Sequence, residues 1–141
     1  QVIRWYRMQC YDGTDSCATV VPIRRYCHQI EYHPGFTQKE CVEFCKKNNI
    51  LVEAWSPLGR GNVLDNPLLK SIAASHGKSV AQVVIRWVMQ TGVLPLAKSV
   101  TPSRIKENID VFDFKLSQQE MFEIASLKAD RIGSDPDTCD F

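Results

Sequence analysis

Residues 29–59 read QIEYHPGFTQKECVEFCKKNNILVEAWSPLG, and this stretch decides the fold class. The run QIEY suits a short strand that ends at a His-Pro-Gly turn. A capping-box pattern over residues 37–40 predicts a helix that runs to about Asn49, with an inward stripe formed by Cys41, Val42, Phe44 and Cys45. Residues 50–55 predict a second strand, mostly buried on both faces. A strand, a helix and a strand in this order are typical of parallel α/β structure.

The same alternation continues toward the C-terminus. Asn66-Pro67 predicts the start of a helix that stops at Gly77, and Ser79 predicts the cap of another helix. The apolar face of that second helix consists of Val80, Val83, Val84, Trp87 and Val88. Residues 93–97 suit a third strand.

Two more helix starts follow this third strand. Thr101-Pro102 repeats the pattern of a cap followed by proline, and a capping box over residues 117–120 predicts a last helix to about Lys128. No Gly-x-Gly-x-x-Gly sequence follows any predicted strand, so the dinucleotide fingerprint of doubly wound folds is missing. A segment of a (β/α)8 TIM barrel is therefore the better interpretation, although 141 residues are too few for a complete barrel of ~250.

Composition excludes several classes of protein. The formal net charge of +1 argues against an electrostatic nucleic-acid binder, and no apolar run approaches the ~20 residues of a membrane span. No basic and then apolar leader begins the sequence, so the default location is cytoplasmic. The six cysteines and three histidines do not fall at zinc-site spacing, so no metal site is predicted.

Several blocks together resemble the C-terminal half of the aldo-keto reductases. They are QIEYHP at 29–34, AWSPLG at 54–59, KS at 98–99, RIKEN at 104–108 and VFDFKLS at 111–117. The resemblance implies roughly the last three βα units of the barrel over residues 28–141, preceded by an unmatched segment over residues 1–27. It also implies an NADPH-dependent oxidoreductase that reduces a small aldehyde or ketone to an alcohol by hydride transfer.

The resemblance assigns roles at the nicotinamide end of the cofactor. Gln29 is implied to bond the carboxamide, Trp55 to stack on the nicotinamide ring, and Ser56 and Leu58 to approach the pyrophosphate. Residue types alone leave other interpretations open. Trp55 can be a core aromatic residue, Gln29 can be satisfied by neighbouring backbone, and Ser56 can be an ordinary turn residue.

A polar cluster follows the third predicted strand. Lys98 ends that strand, and Ser99, Val100 and Thr101 lead into a helix start, where backbone amides and the helix dipole favour a phosphate. By resemblance the cluster binds the adenosine 2′-phosphate, which implies NADPH rather than NADH, through Lys98, Ser99, Val100, Thr101, Arg104, Glu107 and Asn108. The alternative is a solvated basic helix start. The family commonly has proline before this lysine, but here the residue is Ala97.

No catalytic residue is carried over from the family. The proton-donating tyrosine of these reductases, with its lysine, aspartate and histidine, comes from the first half of the barrel. We therefore expect a truncated form that lacks these residues, with residues 1–27 either aberrant in origin or acting as a cover. The alternative is an inactive half-barrel that binds nucleotide or self-associates through exposed parallel strand edges. The carbonyl substrate is not predicted.

Overall fold

A three-stranded parallel sheet flanked by helices forms the part of the chain that the computed structural model describes, residues 27–134. The strands lie in the order β1 (Cys27–Glu31), β2 (Leu51–Trp55) and β3 (Leu94–Leu96). The helices are α1 (Lys39–Lys47), α2 (Pro67–His76), α3 (Val80–Gln90), α4 (Pro102–Ile109) and α5 (Gln118–Ser126), and a 3₁₀ segment covers Gly59–Asp65. The interpretations of residues 1–26 and 135–141 lie outside the described residues.

The sheet register divides the strand side chains between two faces. Gln29 lies opposite Glu53, and Glu31 lies opposite Trp55. Trp55 in turn lies opposite Leu96 of β3. Because successive strand residues point to opposite faces, these side chains share one face.

The other face of the sheet carries the core. Its residues Ile30, Val52 and Ala54 are buried in one cluster with apolar side chains of the helices. The helix residues of this cluster include Val42, Cys45, Leu69, Ile72, Val83, Val84, Trp87, Val88 and Ile124. This packing confirms the predicted inward positions of α3 except Val80, which is partly buried. The prediction that Phe44 of α1 points inward is wrong, because this side chain is 36% exposed.

The predicted burial of both faces of β2 is wrong for the described part of the chain. Leu51 is 48% exposed, and Leu94 and Leu96 of the adjacent strand β3, which lie on the same face, are 45% and 40% exposed. A parallel sheet in a closed barrel has its second face covered by the opposite strands. Residues 27–134 supply three strands, so this second face stays largely open within that range.

The predicted capping box at the start of α1 is also wrong. The helix begins at Lys39, and its N-cap is Gln38, which has a left-handed φ of 41° and makes no side-chain cap bond. The Gln38 side chain instead donates from Nε2 to the backbone oxygen of Glu31 at 2.6 Å. The Gln38 side chain therefore contacts the end of β1 and does not cap α1.

Three other helix starts follow the sequence prediction. Asn66 Oδ1 accepts the amides of Leu68 and Leu69 at the start of α2. Ser79 and Ser117 each form a capping box, with Gln82 and Glu120 respectively. Gly77 ends α2 in the left-handed conformation that favours glycine. None of the helices in residues 27–134 is long and apolar enough to cross a membrane.

The capping box at α5 predicts a pH-dependent contribution to stability. Burial alone would raise the pKa of Glu120, but hydrogen bonds from the Ser117 amide and hydroxyl and from His76 outweigh it and lower that pKa. A lowered folded-state pKa contributes stability above the unfolded pKa of ~4.3. We expect Glu120→Gln to lower the free energy of unfolding by about 1–2 kcal/mol at neutral pH.

The loss should shrink as the pH falls through the lowered pKa of Glu120, because the native carboxylate is then protonated. Urea denaturation of both proteins across acidic and neutral pH measures this difference. Glu123→Gln on the same helix is the control, with an expected change below about 0.5 kcal/mol. A difference between wild type and Glu120→Gln that does not change with pH would contradict the prediction.

Candidate functional site

A groove runs along the C-terminal ends of β2 and β3. One part is a cavity of about 620 Å³ whose wall includes Trp55, Ser56 and Arg60. A second cavity of about 470 Å³ lies beside α4. The two cavities share Leu58, Leu64, Lys98 and Arg104 and therefore form one continuous groove. Functional sites of parallel α/β proteins lie at this end of the sheet, because the loops that follow the strands converge there.

Trp55 forms one end of the groove, where β2 passes into a tight loop. The next residue, Ser56, has a left-handed φ of 52°, and its Oγ accepts the amide of Arg60 at 3.2 Å. Arg60 is also left-handed, with a φ of 53°, and its guanidinium lies 5.4 Å from the Trp55 ring centroid. Left-handed backbone costs a non-glycine residue about 1–2 kcal/mol, and such strain concentrates at functional sites.

The other end of the groove is the start of α4. Pro102 occupies the first turn of this helix, as predicted, but the Thr101 side chain makes no cap bond, so that part of the prediction is wrong. The Thr101 amide instead donates to Ser99 Oγ at 3.2 Å. With no side chain capping it, the first turn of α4 leaves backbone amides available to an anion.

The groove carries mainly positive charge. Lys98, Arg104 and Arg60 line it, and none of them forms an ion pair with a carboxylate within residues 27–134. Glu107 is the single carboxylate among the described residues of its wall. Three exposed cations beside an uncapped helix start suit a ligand that carries several negative charges.

The structure brings together every predicted site residue except one. Gln29 lines neither cavity and lies on β1, on the same sheet face as Trp55. The other ten line the groove: Trp55, Ser56, Leu58, Lys98, Ser99, Val100, Thr101, Arg104, Glu107 and Asn108. Arg60 was missed by the sequence analysis, although an arginine between Gly59 and Gly61 after a strand end is a usable signal.

A buried acid–base pair lies next to Trp55, at the end of β1. Glu31 and His33 have side chains that are 4% and 1% exposed, and His33 Nε2 lies 3.0 Å from Glu31 Oε1. Burial alone would raise the pKa of Glu31, but hydrogen bonds from the Ile132 and Gly133 amides and from His33 outweigh it and lower that pKa. Glu31 is therefore a buried carboxylate whose charge is satisfied by fixed donors. The sequence analysis missed its role, because its amide donors lie about a hundred residues later in the chain.

Other reactive groups of the described chain do not form a site of their own. Tyr32, the single tyrosine in residues 27–134, is 4% exposed and stacks on Trp87 at 5.6 Å. Burial and the nearby Cys45 raise the pKa of the Cys41 thiol to about 12, so it stays protonated. Within residues 27–134 no three His, Cys, Asp or Glu side chains are grouped so as to hold a metal ion.

Sequence comparison relates this chain to a known family. The profile of the aldo/keto reductase family matches residues 14–129 and so begins within the segment before residue 28 where we found no family motif. An uncharacterized oxidoreductase of Bacillus subtilis, YtbE, is 46% identical over 128 residues, which cover 90% of this chain and 46% of YtbE. The glyoxal reductase of the same organism is 50% identical over 116 residues, which cover 82% of this chain and 42% of that enzyme.

Solved structures agree with the sequence comparison. The protein Gox0644, solved as the apo form and as a mutant in complex with NADPH, aligns with a TM-score of 0.78 and 44% identity. The alignment covers 82% of this chain and 43% of Gox0644. The chain thus spans less than half the length of the relatives that it matches. On the family profile and these identities, the chain belongs to the aldo/keto reductase family.

Proposed function

We propose that the groove binds NADPH and that this half-barrel, residues 28–141, is the cofactor-holding part of a carbonyl reductase. The observation that carries the proposal is the meeting of ten predicted cofactor residues in one groove. Two of them, Lys98 and Arg104, and the neighbouring Arg60 form no ion pair with a carboxylate within residues 27–134. A relative of similar fold was solved with NADPH, which supports the choice of ligand. When bound, the cofactor supplies the hydride that reduces an aldehyde or ketone to an alcohol.

In this proposal, Trp55 holds one face of the nicotinamide, and Gln29 bonds the carboxamide from the neighbouring strand. An amide side chain suits that partner because it offers both a donor and an acceptor. Stacking on the indole would cover one face of the nicotinamide and leave the opposite face free to supply hydride.

Ser56, Leu58 and Arg60 surround the pyrophosphate in this proposal. Arg60 lies over the Trp55 ring, and its guanidinium is free of described carboxylates, so it can move onto an arriving phosphate. Lys98, Ser99 and the first turn of α4 then hold the adenosine 2′-phosphate, with Arg104 as a bidentate donor. Glu107 and Asn108 lie one turn further along the helix, beside the adenine.

Tyr32, the one tyrosine in residues 27–134, is not placed to donate the proton that completes the reduction. Burial raises the pKa of Tyr32, and this tyrosine packs in the core on the far side of the sheet from Trp55. We propose that residues 27–134 hold the cofactor without supplying the tyrosine, lysine, aspartate and histidine of the family. Losing a general acid costs about 10²–10⁴-fold in rate.

Titration with NADPH tests the proposed binding. We expect NADPH to quench tryptophan fluorescence, because a stacked nicotinamide contacts the Trp55 indole. Trp55→Phe should keep the stacking and lose the quenching that comes from Trp55, and Trp87, the other tryptophan in residues 27–134, is buried in the core away from the groove. Trp55→Ala should raise the Kd about 2- to 12-fold, the equivalent of one aromatic stacking contact.

Turnover separates the reductase from the binding module. NADPH consumption with a small aldehyde such as glyoxal, run beside the titration, is expected to stay near background for this chain. Quenching with no aldehyde-dependent oxidation supports the cofactor-holding role. If NADPH causes neither quenching nor turnover, the proposed binding of NADPH is wrong. Robust turnover would contradict the proposal that this chain lacks the proton donor.

A second candidate function is self-association through the sheet. Within residues 27–134, β1 and β3 each pair with one neighbour, and the exposed Leu51, Leu94 and Leu96 lie on the open face. Unpaired edges and exposed apolar side chains favour association. Sedimentation over a range of protein concentrations tests this candidate, and a monomer at all concentrations would exclude it.

A further inference from the structure

We infer that Glu31 is a positioning residue for Trp55. Its carboxylate binds the backbone of Ile132 and Gly133 and thereby holds the segment after α5 against the edge of the indole. The inference rests on the proposed function, because the orientation of Trp55 matters to a ligand only if the indole stacks on the nicotinamide.

The carboxylate of Glu31 uses both of its oxygens to hold this segment. The Ile132 amide donates to Oε1 at 2.7 Å, and the Gly133 amide donates to Oε2 at 2.8 Å. The Oε1 atom also lies 3.0 Å from His33 Nε2. Because Glu31 is almost fully buried, water has little access to its carboxylate. The charge of the carboxylate is therefore stabilised by these hydrogen bonds.

Two further contacts fix the same segment across the end of β1. The Ala129 amide donates to the Gly35 oxygen at 3.3 Å, and the Arg131 guanidinium lies 5.1 Å from the Phe36 ring centroid. A methyl group on Gly35 would lie 2.6 Å from the Ala129 nitrogen, so the two backbones are in close contact. The segment is therefore held at several points, and the bonds of Glu31 fix the part nearest the groove.

Gly133 carries the contact from Glu31 to Trp55. A methyl group on Gly133 would lie 2.9 Å from Glu31 Oε2 and 3.1 Å from Trp55 Cζ3. The indole edge thus packs on backbone, while the Arg60 guanidinium lies over its ring. A ligand can displace the arginine side chain, but it cannot displace backbone that is bonded to a buried carboxylate. The edge of the indole is therefore fixed against Gly133, whereas the ring face under Arg60 becomes accessible when that side chain moves.

Two variants test the inference by different means. Glu31→Gln keeps the size of the side chain but replaces one acceptor oxygen with an NH₂ group, which would face a backbone N–H. Gly133→Ala keeps the carboxylate and adds a methyl group 2.9 Å from Glu31 Oε2 and 3.1 Å from Trp55 Cζ3, so that the carboxylate and the indole have to shift. Gly133 is not at a left-handed φ, so the effect of this alanine comes from space alone. If one variant fails to fold, the other still tests the contact.

Each variant is titrated with NADPH and with adenosine 2′,5′-bisphosphate, which has the phosphate end but no nicotinamide. We expect the Kd for NADPH to rise about 2- to 12-fold, as for the loss of one stacking contact. The Kd for the bisphosphate should stay within about twofold, because its site at Lys98 and Arg104 does not involve Glu31. Amide exchange at Ile132 and Gly133 should accelerate in Glu31→Gln.

Glu120→Gln is the matched control, since Glu120 is also a glutamate bonded to a histidine and to a backbone amide, outside the groove. It should change neither Kd. Equal weakening of both ligands in Glu31→Gln and Gly133→Ala would overturn the inference in favour of a general structural role. Unchanged affinity for NADPH in both variants would overturn it as well. If wild type binds neither ligand, the proposed function fails first and the inference fails with it.

Discussion

Replacing Trp87 with alanine is expected to lower the free energy of unfolding by about 3–5 kcal/mol. Trp87 is 1% exposed and belongs to the core cluster between the sheet and the helices. Its ring stacks on Tyr32 with an interplanar angle of 23°, and Nε1 donates to the Met121 oxygen at 3.3 Å. Alanine would leave a large cavity, remove the stacking and leave the Met121 carbonyl without this donor.

Urea denaturation followed by circular dichroism measures the effect of Trp87→Ala, since fluorescence would change with the residue itself. The control is Phe122→Ala, an aromatic residue that is 70% exposed on α5. It should change the free energy of unfolding by less than about 0.5 kcal/mol. Equal losses in the two variants would mean that the described core does not dominate stability.

Replacing Arg104 with alanine is expected to raise the Kd for NADPH about 10- to 100-fold and to leave the Kd for NADH within about twofold. A hydrogen bond to a charged group contributes about 1.5–3 kcal/mol, and Arg104 faces the proposed site of the 2′-phosphate, which NADH lacks. Adding Lys98→Ala should weaken NADPH further, because the two cations share the groove.

Lys106→Ala is the matched control for Arg104→Ala. Lys106 lies on the same helix, is exposed and does not line the groove. Its removal takes the same charge from α4, so it accounts for any change in overall electrostatics. Similar weakening by Lys106→Ala, or equal weakening of NADPH and NADH by Arg104→Ala, would argue against a 2′-phosphate site at the start of α4.

The strained loop after β2 explains why the two ends of the groove differ. Ser56 and Arg60 hold left-handed backbone conformations and are joined by one hydrogen bond, whereas the cluster at Lys98–Thr101 is a plain helix start. The first end can rearrange when a ligand displaces Arg60 from the Trp55 ring. The end at Lys98–Thr101 needs no such displacement before its donors can bind. We therefore expect the adenosine 2′-phosphate to bind before the nicotinamide.

The order of elements and the starts of α2, α3 and α5 could be predicted because they depend on short-range contacts. Asn66, Ser79 and Ser117 bond amides two or three residues away, and Gly77 satisfies a backbone need at a single position. The polar cluster after β3 was equally accessible, since Lys98 to Asn108 are eleven consecutive positions that follow one strand and enter one helix. The amides that these capping side chains bond lie within one helical turn of them.

The sequence by itself therefore determined the parallel α/β order and most of the groove residues. Only the tertiary structure decided the contacts between residues that are distant in the sequence or that belong to different elements. Gln38 gives up a helix cap to bond the end of β1, Arg60 covers Trp55, and Glu31 reaches Ile132 and Gly133. The physical reason is distance along the chain: a buried carboxylate is bonded by whichever donors the fold brings to it, and the two backbone amides that bond Glu31 lie 101 and 102 residues away.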